Sequence, residues 1–216
     1  MRMAIGDIHG RPYWKNYLGR DFTDFYILGD YFDGYTTSFE QEYKNFEGIC
    51  EAARKDSRLK LCFGNHDYHY LRGIPMERYS RFQDKHYRTI NEILEQNMDM
   101  MKAVYVTSDN YIISHAGLSN VFLEKMHSAG VKNIEGINEA FKRDRGIFAF
   151  NGRDIYGDDP TQSLIWIRPK SLISHPVLGF NQIVGHTQFR EIKVIEHSGM
   201  KFAFIDTGEK ESIYEF

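Results

Sequence analysis

A chain of 216 residues with 42% hydrophobic and 26% charged side chains is ordinary for a soluble globular protein, and long enough to bury a large core in one domain. Its formal net charge of −3 leaves no basic footprint for a nucleic-acid backbone, so duplex binding is not expected. No apolar run nears the roughly 20 residues that span a bilayer, so no membrane partner is expected either. Asp7 interrupts the first apolar run, which speaks against a signal peptide. The two cysteines, Cys50 and Cys62, are too few for a disulfide framework and fit a reducing cytoplasm, the expected location.

Met3-Ala4-Ile5 is short and apolar and ends at Gly6, the pattern of a central strand. Pro12 suits the first turn of a helix, with Tyr13, Trp14, Tyr17 and Leu18 on its apolar face. Phe25 to Leu28 and Leu59 to Phe63 predict two further strands. Between them, Phe39, Tyr43, Phe46, Ile49 and Cys50 recur at helical spacing. This alternation is the βαβ pattern of a layered α/β protein, whose ligands sit beyond the carboxyl ends of the strands. Residues 68–102 break the pattern with aromatics and charges and a helix from about Thr89 to Met101; they read as an insert on the core, partly a lid. A hairpin is expected around Ser108-Asp109-Asn110, then two short helices within 119–145 and a long loop over 146–163. Leu164 to Ile167 reads as a buried strand or a helix start, stopped by Arg168-Pro169. Strands follow at Gln182 to Val184, Glu191 to His197 and Lys201 to Ile205, and Asp206-Thr207-Gly208 ends as a turn.

Several of these strands run out into polar residues beside glycines. Asp7 and His9 are two apart, which on an extended strand end puts both on one face. A carboxylate and an imidazole together make half a site for a divalent transition metal. Asp30 ends the neighbouring strand, and its two oxygens can bridge two ions. Asn65, His115 and His186 lie at other strand exits. The expected ligand sets are Asp7, His9 and Asp30 for one ion, and Asp30, Asn65, His115 and His186 for the other. Mixed oxygen and nitrogen donors favour manganese, with iron or zinc next, over calcium. Each residue alone has an ordinary reading, as a turn residue or a buried hydrogen-bonded histidine. Six of them at strand ends of one chain are hard to explain that way.

The stretches Gly6-Asp7-Ile8-His9-Gly10, Gly29-Asp30-Tyr31-Phe32-Asp33-Gly34, Gly64-Asn65-His66-Asp67, His115-Ala116-Gly117 and Gly185-His186-Thr187 resemble the motifs of the calcineurin-like metallophosphoesterases, in family order. They are most similar to the phosphoprotein phosphatase branch, with its bacterial and phage Ser/Thr phosphatases and symmetrical diadenosine tetraphosphatases. The resemblance implies an α/β fold of two mixed β-sheets in a sandwich flanked by helices, a four-layer architecture. It implies a single domain over residues 1–216, with the insert at about 68–102 and two divalent metal ions where the strand ends meet. Many broader relatives have a second metal-binding histidine at the position of Gln188; the phosphatase branch does not.

The implied reaction is hydrolysis of a phosphomonoester, with phosphoserine or phosphothreonine protein the closest family substrate. A hydroxide held between the two ions attacks phosphorus, and a general acid protonates the leaving oxygen. His66, next to Asn65, is expected in the site as that acid. The family pairs the equivalent histidine with an acid that maps to Asp33. The substrate phosphate is expected to meet Arg168 and Asn65. Protein phosphatases usually carry a further arginine at the position of Gly34; Arg11, Arg72, Arg78, Arg81 and Arg88 are candidates to replace it. Asp67, where many relatives have Glu, is expected to orient backbone groups. Two other readings stand beside this one. The first is hydrolysis of a dinucleotide polyphosphate or another small nucleotide, with aromatics of the insert stacking on bases. The second is a non-catalytic binding protein that holds metal.

Overall fold

The computed structural model describes residues 1–71 and 81–216, in which ten strands form two mixed five-stranded sheets. The first sheet takes β1 (Arg2–Ile5), β2 (Asp24–Ile27), β3 (Leu59–Cys62) and β4 (Met101–Lys102), all parallel. The second takes β5 (Val104–Val106), β6 (Tyr111–Ser114), β7 (Asn181–Val184), β8 (Lys193–His197) and β9 (Met200–Phe204), in the order β5-β6-β7-β9-β8. A last strand, β10 (Ile213–Glu215), returns to the first sheet antiparallel to β1. The helices are α1 (Phe39–Lys55), α2 (Asn65–Tyr68), α3 (Tyr87–Asn97), α4 (Asn120–Ser128), α5 (Gly136–Arg143) and α6 (Pro169–Ser174). Among the described residues none of them is long and apolar enough to cross a membrane.

Side-chain alternation along the strands builds the layers. Ala4, Tyr26, Leu28 and Cys62 of the first sheet share one apolar cluster with Ile113, Ile183 and Ala203 of the second, and this is the interior of the sandwich. The small Ala4, Cys62 and Ala203 let the sheets lie close. The alternate residues Ile5, Ile27 and Leu61 face outward into a larger cluster with Phe46 and Ile49 of α1 and Ile90 and Leu94 of α3. On the far side, Val184, Phe202 and Phe204 pack with Leu172 of α6. α1 starts cleanly because Ser38 and Gln41 form a reciprocal capping box, with Glu40 and Glu42 in its first turn and Arg54 and Lys55 in its last.

The register explains why one end of the sandwich carries the functional groups. Ile5 pairs with Ile27 and Ile27 with Leu61, so β1, β2 and β3 end at one level. Ile113 pairs with Ile183, which aligns the exits of β6 and β7. Gly185 N–H then bonds His115 O at 2.8 Å, tying these two exits together.

Some local expectations are corrected. Pro12–Tyr17 is a 3-10 segment. The polar residues after Gly64 are helical, since Asn65 opens α2 with Gly64 at its N-cap. Leu164 to Ile167 forms turns, with Trp166 N–H and Ile167 N–H both on Ser163 O. Pro169, read as a stop, is the first residue of α6, where its missing N–H costs nothing. The stretch expected to lie outside the core returns at Met101 to supply β4, and β10 had no strong sequence signal.

Candidate metal centre

Asp7, His9, Asp30, Asn65, His115 and His186 all meet where the strands end. Asp7, Asp30 and His115 bring one donor atom each within 4.8 Å of one another. Asp30 Oδ2 lies between two imidazoles, 3.8 Å from His9 Nε2 and 3.4 Å from His115 Nε2. His115 Nε2 is also 3.0 Å from Asn65 Oδ1 and 3.2 Å from His186 Nδ1. Reaching these positions takes unusual backbone: His9, Asp30 and His186 are left-handed, with φ of 44°, 51° and 60°. Local bonds hold them there, including Asp30 N–H to Asp67 Oδ2 and His186 N–H to Asp7 Oδ1. Gly64 makes room for the close approach, since a Cβ there would lie 2.0 Å from Asp30 Oδ1.

The hydrogen bonds fix which ring nitrogen of each histidine carries its proton. His9 Nδ1 faces Phe32 O at 2.6 Å, His115 Nδ1 faces Leu28 O at 2.9 Å, and His186 Nε2 faces Trp166 O at 3.1 Å. A carbonyl oxygen only accepts, so each of these nitrogens is the donor. The opposite nitrogen of each ring therefore presents a lone pair, and those lone pairs point at one another and at the Asp30 and Asn65 oxygens. Burial keeps the rings neutral: it pulls His9 and His115 down to about 3, and His186 well below its ordinary value. Burial also pushes Asp7 up to about 6. Asp30 is raised well above its ordinary value, by burial first and then by the neighbouring Asp7. Converging buried lone pairs fit a cation, and imidazoles anchored through their other nitrogen are the usual support of a metal site.

A second cluster looks alike in composition and differs in its protons. Asp33, His66 and His69 also bring donor atoms within 4.8 Å of one another. Here His66 Nδ1 and His69 Nε2 both bond Asp33 Oδ2 at 2.8 Å, and the Tyr70 hydroxyl donates to Asp33 Oδ1 at 2.5 Å. Burial opposes ionisation of Asp33, but the bonds from His66 and His69 outweigh it and hold the carboxyl well below the usual range. This cluster is a hydrogen-bonded dyad with added donors. His66 is partly exposed and stands edge-on to His9, 5.3 Å between ring centres.

The remaining candidates divide. Arg168 donates from Nε to Tyr156 O at 2.8 Å and from Nη1 to Thr187 Oγ1 at 3.1 Å. Burial lowers its pKa while Asp7 and Asp30 raise it, which places the guanidinium in their field. Arg11 is committed to the loop, bonding Asp7 O at 2.6 Å and Ile8 O at 3.0 Å. Arg81 lies over the ring of Tyr35, 4.5 Å from its centre, and Arg88 is exposed on α3. Arg72 and Arg78 lie outside the described residues. Asp67 orients backbone, accepting from Asp30, Tyr31 and Gly64 N–H. Tyr68 and Tyr70, which the nucleotide reading would place against bases, are fully buried.

Four polar residues beside the dyad were missed: Glu42, His69, Tyr70 and Gln83. His66, His69 and Tyr70 have the i, i+3, i+4 spacing of one helical face, which was a readable signal. Glu42 looked like an exposed first-turn acid, yet it is 1% exposed and accepts from the N–H groups of Asp33 and Gly34.

Comparison with known proteins places the chain in a family. The calcineurin-like phosphoesterase family profile matches residues 3–193, and the chain belongs to that family, whose members are divalent-metal phosphoesterases. No curated protein sequence matches it. Among solved structures it is similar to a cold-active protein-tyrosine phosphatase of a psychrophilic Shewanella species, with TM-score 0.65 and 15% identity over 95% of this chain and 70% of that one. It is also similar to a serine/threonine phosphatase from Saccharomyces cerevisiae, with TM-score 0.56 and 14% identity over 96% of this chain and 67% of that one. At these identities the two structures establish the shared fold.

Asp67→Asn places an amide N–H₂ against backbone donors and is expected to cost about 2–4 kcal/mol in denaturant unfolding. Gly34→Arg should not supply the family's arginine. A Cβ at position 34 would lie 2.0 Å from Thr37 Oγ1 and 2.5 Å from His9 O, so the variant should lose about 2 kcal/mol or more and gain no phosphate affinity.

Proposed function

We propose that this protein is a metal-dependent phosphomonoesterase of the Ser/Thr-protein-phosphatase kind, with the whole chain as one catalytic domain and residues 68–102 as its insert. The observation that carries the reading is the convergence of neutral imidazole lone pairs on buried carboxyl groups directly beside the Asp33–His66 dyad. Asp7, His9 and Asp30 would hold one ion, and Asp30, Asn65, His115 and His186 the other, with manganese the expected metal. Divalent cations bound there supply charge for phosphoryl oxygens and lower the pKa of water.

The chain's own residues do the rest. Arg168 and Asn65 orient the phosphoryl group. His66 holds its Nδ1 proton on Asp33, leaving Nε2 to deliver a proton to the leaving oxygen. Asp33 stays ionised and stabilises the imidazolium. Cys50 and Cys62 are both free and buried, which supports a reducing location such as the cytoplasm.

The test is a substrate panel with Mn²⁺: para-nitrophenyl phosphate, its bis-ester, a phosphoserine peptide and diadenosine tetraphosphate. Monoester and peptide hydrolysis, abolished by chelator and lowered at least ~100-fold in Asp30→Asn, is the expected result. Activity on the bis-ester alone would overturn it. Preference for diadenosine tetraphosphate would favour the nucleotide reading, and metal binding without turnover the binding-protein reading. Arg168→Ala should lower kcat/KM by ~10- to 100-fold, as expected for loss of a charge-assisted phosphate contact. Protons compete with metal at Asp7, whose carboxyl titrates at about 6 and is protonated below it. Mn²⁺ affinity by calorimetry should therefore be ~10-fold or more weaker at about pH 5 than at about pH 7.

A further inference from the structure

We propose that His69 and Tyr70 are positioning residues for catalysis: they lock the Asp33 carboxylate so that it can aim His66. The inference rests on the reading of His66 as the general acid and adds the parts that make it effective.

A carboxylate has about four acceptor positions on its two oxygens. In Asp33 the structure fills all four. Oδ2 accepts from His66 Nδ1 and His69 Nε2, both at 2.8 Å. Oδ1 accepts from the Tyr70 hydroxyl at 2.5 Å and from Gln83 Nε2 at 3.2 Å. Only the first of these bonds reaches a ring that faces the metal centre; the other three come from behind. Tyr70 is itself held, because its hydroxyl accepts the Gln83 backbone N–H at 2.8 Å and its ring stacks on Phe82 with centres 4.8 Å apart. His69 stands edge-on to both rings.

Asp33 sits at 1% exposure on left-handed backbone with φ of 65°, where solvent offers no substitute donors. Free rotation of its carboxyl would swing the bond to His66 and move Nε2 off the leaving oxygen. The donors behind it prevent that rotation. Misplacing an acid by a fraction of a bond length slows proton transfer while leaving substrate binding alone. The effect should appear only where proton transfer matters, that is, with leaving groups too basic to depart as anions.

Phenyl phosphate and 2,4-dinitrophenyl phosphate separate the cases, assayed with Mn²⁺. His66→Asn is the reference and should lose ~100-fold or more in kcat on phenyl phosphate and far less on the dinitrophenyl ester. Tyr70→Phe and His69→Leu should each lose ~10-fold on phenyl phosphate and less than ~2-fold on the dinitrophenyl ester, with KM unchanged. His69→Gln, which keeps an N–H donor, should recover part of that loss. In the ¹⁵N spectrum of the folded protein without substrate, the bonded Nδ1–H of His66 should shift in Tyr70→Phe. Equal losses on both esters, or none on either, would overturn the proposal. Tyr70→Phe removes one oxygen and decides the matter if His69→Leu does not fold. If His66→Asn shows no leaving-group dependence, the acid assignment itself fails and the positioning role falls with it.

Discussion

Three backbone carbonyls decide what this site is. Phe32 O, Leu28 O and Trp166 O each take the proton of one imidazole, and so each turns a lone pair inward. Those bonds leave the other ring nitrogens as acceptors facing the oxygens of Asp30 and Asn65 and one another. With them, buried carboxyl groups and neutral imidazoles share one space, an arrangement that fits a cation. The rest of the architecture serves that constraint. Parallel registers bring the strand exits level, and left-handed residues turn the side chains back. The Ser163 turn, where sequence alone admitted a strand, carries Trp166 O to His186. The same turn offers Leu164 O to Ala116 N–H at 2.8 Å.

Three acidic residues that contact no proposed ion do comparable work with opposite polarity. Asp67 gathers three backbone N–H groups from two loops. Burial pushes its carboxyl up to about 7 against the pull of those donors. Glu42 gathers the N–H groups of Asp33 and Gly34, the Thr37 hydroxyl and Gln83 Nε2. Asp33 gathers side-chain donors. Acceptors with several buried donors are rigid because moving them breaks several bonds at once, each costly to leave unmade in the interior. The loops at the strand exits are thus braced from behind by carboxylates, and the residues at the front are free to present lone pairs.

The front was legible in the sequence and the back was not, for a physical reason. Asp7, His9, Asp30, Asn65, His115 and His186 sit beside glycines just past apolar runs, so the strand exits and the residue types there marked them. Asp67 was legible because it shares a stretch with Asn65. Glu42 sits in the first turn of an amphipathic helix, where an acid is ordinary on dipole grounds, and nothing local shows that a loop folds over it. β10 depends on pairing with β1 from the far end of the chain, and a three-residue strand has too little periodicity to declare itself. Long-range closure of this kind leaves no mark on local pattern.

Gly34 joins the two halves of the argument. Read as sequence, it marked a missing arginine. In the fold, the space a side chain would need is occupied by Thr37 Oγ1, His9 O and Glu42 Oε1. The same Glu42 bonds Gln83, and Gln83 bonds Asp33. An arginine at this position would thus compete with the group that braces the dyad from within. The loop around Gly34 is closed inward, whereas Arg168 is anchored by Tyr156 O and Thr187 and lies in the field of Asp7 and Asp30. Gly34 is thus the position where the bonding that holds Asp33 leaves no room for a side chain.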